Sequence, residues 1–128
     1  MRVIEFSRDH AQPIKRFDSI GAWSVHLGDG VGAAHVYCVH VAPGGVIGAH
    51  RAGFAQLFLV VDGAGWAAGE DGRRVTLLAG QGAYIERGEV HSKGSDAGMT
   101  AIMVQVAELR AASRRRRTLP GAARRLRE

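Results

Sequence analysis

An all-β fold, either a sandwich or a barrel, is what this 128-residue chain predicts. Three observations carry the expectation. Short runs of β-branched and aromatic residues recur along residues 1–107. Gly, Pro or Asp bounds each run at close spacing. The 18 glycines are spread along the chain rather than clustered, as repeated tight turns require.

The elements follow in order. VIEF near the start, WSVHL at 23–27 and AHVYCVHVA at 34–42 read as strands, and so do QLFLVV at 56–61 and RVTLL at 74–78. AYIE at 83–86 and MTAIMVQVA at 99–107 complete the set. GWAAGEDGRRVTLL reads as a hairpin, because Asp71-Gly72 is a favoured tight-turn pair. Only ELRAASRRRR, from Glu108 onward, offers a helical pattern, and its caps are poor. There is no internal repeat. One domain over residues 1–107 is expected, followed by a basic C-terminal tail at 108–128.

The net charge of +5 belongs to that tail. Residues 1–107 carry nine Lys and Arg against ten Asp and Glu, whereas residues 108–128 carry eight Arg against two Glu. A charge block of this kind reads as a solvated extension. Contact with nucleic acid is its alternative role, although no aromatic residues interleave the arginines. No apolar run approaches the ~20 residues of a membrane span. Charge interrupts the N-terminus too early for a signal peptide. Cys38 is the single cysteine, which excludes an internal disulfide, and a reducing cytoplasm is the expected location.

Two glycine-and-histidine frames carry the functional signal. The first runs from Gly44 through His50 and Gln56 to Gly63, and the second from Gly80 through Gly88 to His91 and Ser95. In register and without gaps, they resemble the two motifs of the cupin superfamily, G(X)5HXH(X)3,4E(X)6G and G(X)5PXG(X)2H(X)3N. Gly44, His50, Gly63, Gly80, Gly88 and His91 match. Ala52 stands for the second histidine, Gln56 for the glutamate, Glu86 for the proline and Ser95 for the asparagine.

The resemblance implies a cupin double-stranded β-helix, a jelly-roll-like barrel open at one end, with motif 1 at 44–63 and motif 2 at 80–95. Such proteins commonly hold a divalent transition metal through three histidines and a glutamate. Here the transferable metal set shrinks to His50, Gln56 and His91, which could hold Fe, Mn, Ni, Zn or Cu only weakly because no ligand is charged. A metal-free polar pocket, with Gln56 hydrogen-bonded across the barrel, is the equal alternative. Strand alternation puts Gln56, Phe58 and Val60 on one face. Phe58, Val60, Ala52 and Tyr84 are expected to line the pocket.

Glu86 and Glu89 flank Gly88 as lesser candidates for a general base. Cys38 is expected to be a buried small residue. The leading expectation is a cytoplasmic, small-molecule-binding cupin that pairs as a homodimer, with a weak metal centre. A metal-dependent oxygenase or isomerase is the first alternative, and a ligand-sensing regulatory module with a basic tail the second.

Overall fold

The computed structural model describes residues 1–112; the arginine-rich block lies outside the described residues. Among the described residues there are ten strands and one 3-10 turn at Arg8–His10. They are β1 (Arg2–Glu5), β2 (Gln12–Pro13), β3 (Trp23–Ser24), β4 (Gly28–Val41), β5 (Gly45–Arg51), β6 (Ala55–Ala68), β7 (Arg74–Leu78), β8 (Gln81–Ile85), β9 (Val90–Ser95) and β10 (Met99–Ala111). No described helix is long and apolar enough to cross a membrane.

All pairing is antiparallel. One layer runs β1-β8-β6-β10-β4, and the other is built from β5, β9, β6 and β7. β6 belongs to both. Its first half pairs with β8 and β10 through residues 55–63, and its second half pairs with β7 and β9 through residues 64–68. The change of layer falls at Gly63, which has a φ of 77°. A Cβ there would lie 2.3 Å from the Gly98 carbonyl oxygen, so the backbone approach as well as the dihedral requires glycine.

Most of the interior is apolar. Phe58, Val60, Leu77 and Ile85 are buried with Ala52, Ala67, Ala83 and Ala101 in one core cluster. Four alanines among these inward positions leave space that larger side chains would fill. Asp71-Gly72 forms the expected turn between β6 and β7, with the Asp71 carboxylate accepting a hydrogen bond from the Arg73 amide at 2.9 Å.

Several expectations need correction. β5 and β9 are strands that the apolar runs did not announce, because VHSKGS is mostly polar or small. WSVHL contributes only Trp23–Ser24, and β4 starts earlier, at Gly28. Glu108–Ala111 begin no helix; they extend β10 and pair with β4 as far as Ala111 opposite Gly28. Cys38 is exposed, on the outer face of β4, and its thiol lies 3.6 Å from His40 Nε2.

Truncation after Ala107 should therefore lower the melting temperature relative to truncation after Ala112. The shorter chain loses four strand residues and their ladder with β4. A loss of about 1–3 kcal/mol is expected from the few net hydrogen bonds removed. Thermal melts of the two truncations side by side provide the measurement, and equal stability would show that this end of β10 contributes nothing.

Candidate functional site

The site is assembled by register. His50 on β5 lies directly opposite His91 on β9, and their rings approach to 4.4 Å between centroids at 55°. The loops that follow β5 and precede β9 are bound together. Ala52 N–H donates to the Glu89 carbonyl at 2.9 Å, and Gly88 N–H donates to the Ala52 carbonyl at 2.8 Å. Arg51 Nη1 donates to the Gly88 carbonyl at 3.0 Å. These bonds hold the two sequence motifs in one fixed relation.

The two histidines differ in environment. His50 is exposed, and its Nδ1 donates to the Gly48 carbonyl at 2.8 Å. His91 is 1% exposed, and among the described residues neither of its ring nitrogens has a partner. Burial pushes its pKa down to about 4, the charges of Lys93 and His50 push the same way, and Glu89 acts in opposition. The ring is neutral at pH 7. It therefore holds one unused N–H donor and one unused acceptor inside the protein.

Gln56 is 2% exposed on the inner face of β6. Its partner is one the sequence reading missed: Lys93, also buried at 1% exposure, donates to Gln56 Oε1 at 2.5 Å. The Lys93 nitrogen lies 3.8 Å from Met103 Sδ and 4.6 Å from the centroid of Phe58. Ala67 and Ile47 are its strand neighbours on either side, and the small side chain of Ala67 leaves room for the lysine. Among the described residues no carboxylate pairs with it. Burial pushes its pKa down to about 8. A signal was available in the sequence: Lys93 is two residues from His91, so a strand there puts both on one face.

The remaining candidates sort cleanly by face. Phe58 turns inward against Lys93, with Val60 one pleat further into the core and Ala52 packed in the same cluster. Tyr84, expected among them, takes the other face. It pairs with Leu57 and Arg2, its hydroxyl donates to the Leu109 carbonyl at 3.4 Å, and it borders an outer hollow with Met1, Arg2 and Glu86. Alternation decides this, since Ala83 and Ile85 are its inward neighbours.

His35 and Tyr37 share the inner face with Gln105 and Met103 on β10, and the His35 ring stacks on Phe54 at 5.4 Å. With Phe54 they form an aromatic edge beside β4. His40 faces outward and bonds Thr100 Oγ1 at 3.2 Å. Glu89 is engaged by the amino group of Met1 and accepts from the Glu86 amide at 2.8 Å. That last bond uses an N–H that proline would lack. Burial raises the Glu89 pKa, but these bonds and charges outweigh it and hold the carboxyl low. Ser95 is structural: Oγ donates to the Ala64 carbonyl at 2.5 Å and accepts from Gly98 N–H at 2.7 Å.

The donors do not fit a metal ion. Gln56 Oε1, the one oxygen available, already accepts from an ammonium, and that ammonium would repel a dication. Among the described residues no three His, Cys, Asp or Glu side chains cluster closely enough to hold one. His50 and His91 meet across β5 and β9, whereas Gln56 is engaged by the Lys93 ammonium.

Stability should rise with pH in two windows. His91 has a folded pKa below its unfolded value, so the unfolded state binds more protons between about pH 4 and 6.5. The same sign holds for Lys93 between about pH 8 and 10.5. At about 1.4 kcal/mol per pH unit, keeping Lys93 protonated costs about 3 kcal/mol at pH 7. Lys93→Met should thus stabilise the protein at pH 7 by about 1–2 kcal/mol, after the loss of the Gln56 hydrogen bond. The advantage should vanish by about pH 10.5. Denaturant melts of both proteins across this range would check the sign, and a destabilised Lys93→Met at pH 7 would contradict it.

The comparisons agree with the geometry. A family model described as "Cupin domain" matches residues 37–105. No curated protein matches the chain by sequence. A Cupin 2 conserved barrel domain protein from Salinispora arenicola is 19% identical, with a TM-score of 0.53 over 75% of this chain and 73% of that one. A protein with a double-stranded β-helix domain from Klebsiella pneumoniae is 20% identical, with a TM-score of 0.54 over 83% of this chain and 93% of that one. A cupin-like protein from Thermotoga maritima is 22% identical, with a TM-score of 0.55 over 58% of this chain. The chain spans only 57% of the Thermotoga protein's length.

Proposed function

The chain belongs to the cupin family, and from that premise we propose that it binds a small organic molecule at the open end of its barrel, around His91, without a resident metal. The observation that carries this reading is the pair of unpartnered, buried ring nitrogens on His91. Buried polar atoms are nearly always hydrogen-bonded, and a site that leaves two unmet is matched by a ligand that supplies them. The exposed imidazole of His50 stands over His91 and marks the approach from solvent. A metal-dependent oxygenase or isomerase would first require Lys93 to give up Gln56 Oε1.

Imidazole resonances in histidine-labelled protein should report the site directly. A library of neutral and charged fragments should contain members that shift His91 saturably while His26, on the outer surface, stays fixed. If no fragment perturbs His91, the reading fails.

Metal titration provides a second arm. Wild-type protein should take up no tight stoichiometric Mn, Ni, Zn or Cu. The triple variant Ala52→His, Gln56→Glu, Lys93→Ala should bind metal roughly tenfold tighter or more than Ala52→His, Gln56→Glu alone, because the lysine no longer competes. Tight metal binding by the wild type would overturn the metal-free reading.

We also infer a homodimer through β4. This strand lies at the edge of its layer, and Val31 and Val36 on it are exposed. Long apolar edges are normally covered. Light scattering should give a dimer mass for the wild type and a monomer mass for Val36→Lys. A monomeric wild type at micromolar concentration would remove the proposal.

A further inference from the structure

The buried amine at the centre of the site has more donors than the protein satisfies. Lys93 presents three N–H groups. Gln56 Oε1 accepts one at 2.5 Å, and Met103 Sδ, a weak acceptor, lies at 3.8 Å. Phe58 offers the face of its ring at 4.6 Å, a favourable but undirected contact. Among the described residues no carboxylate balances the charge. His91 adds an unused N–H from the same strand face, two residues away, or about 7 Å between Cα atoms along an extended strand. A flexible four-carbon stem lets the ammonium approach whatever the imidazole holds.

We propose that Lys93 and His91 form a metal-free receptor for the carboxylate of a small organic acid. This rests on the barrel-end binding site proposed above and names its ligand class. A carboxylate has two oxygens, one for the ammonium and one for the imidazole N–H. Its charge neutralises the buried cation, which a neutral amide of the same shape cannot do. Buried charge-assisted hydrogen bonds are about twice as strong as neutral ones, so the site discriminates by charge before it discriminates by shape. The body of the acid meets an apolar and aromatic wall. Tyr37 aligns with Met103 and Phe58 across the sheet, and His35 with Gln105 and Gln56, with Phe54 stacked on His35. Arg87, 5.9 Å above the Phe54 ring, places a further positive charge beside this edge.

Calorimetric titration and the His91 resonances would test this with acetate, glycolate, benzoate and phenylacetate, each beside its own amide, and with inorganic phosphate. At least one carboxylate should bind saturably, roughly tenfold or more tighter than its amide, and shift His91. Lys93→Met should lose that preference while remaining folded. Gln56→Glu should lose it too, because a fixed carboxylate then occupies the ammonium. Carboxylates that bind no better than their amides, or equally well to Lys93→Met, overturn the proposal, as does binding of phosphate where no carboxylate binds. Neutral fragments that shift His91 while every acid fails would overturn this receptor alone. A His91 that nothing shifts would overturn the underlying site as well.

Discussion

The architecture depends on one strand serving two layers. β6 is 14 residues long, and its two halves pair with different partners on either side of Gly63. A continuous strand can change layer only by bending, and a bend this tight demands positive φ and unobstructed contact with the backbone at Gly98. Everything at the site inherits that geometry. Gln56 and Phe58 come from the first half, and Ala67 from the second. β9 lies beside Ala67 and sends Lys93 across the interior to Gln56. The hydrogen bond between Lys93 and Gln56 thus joins the two layers at their polar centre, within a wall that is otherwise apolar.

That centre is costly, and its cost indicates what it is for. A buried ammonium without a carboxylate partner favours unfolding at neutral pH, and an apolar side chain of similar length would not. Nothing in the packing calls for the charge, since Leu77, Phe58 and Val60 already provide a fully buried core nearby. Proteins depart from local rules where a binding site requires it. The neutral, unpartnered His91 on the same strand is a second departure of the same kind. Two unmet polar groups on one strand face point to a common purpose more strongly than either does alone.

Much of this was legible in the sequence, and the misses have physical reasons. Fixed spacing between glycines and histidines was enough to bring His50 opposite His91, because the glycines set the turns and the turns set the register. Period-two alternation was enough to turn Gln56 and Phe58 inward. The same alternation, applied from Ala83 and Ile85, would have turned Tyr84 outward; aromatic character was the weaker guide. Lys93 escaped because β9 carries no apolar run, and a lysine in a polar segment reads as solvent-facing until the strand is known. The segment is polar because it lines a polar centre. Cys38 was misplaced for the opposite reason: an apolar-looking strand at the edge of a sheet can expose the face that a central strand would bury.

The departures from the cupin metal motif make sense together rather than singly. Ala52 in place of a histidine removes a ligand and adds to the apolar core. Gln56 in place of glutamate keeps an oxygen acceptor but removes the negative charge. Had that position remained glutamate, Lys93 would sit in a closed ion pair, neutral overall and indifferent to an anion. With glutamine, the lysine is held in place but not neutralised. A metal-binding arrangement balances its dication with a carboxylate and leaves coordination positions open for substrate. This arrangement has a single fixed positive charge, tethered to the chain, oriented by one amide and placed beside a neutral imidazole. A fixed ammonium of this kind can attract and orient an anion through charge-assisted hydrogen bonds.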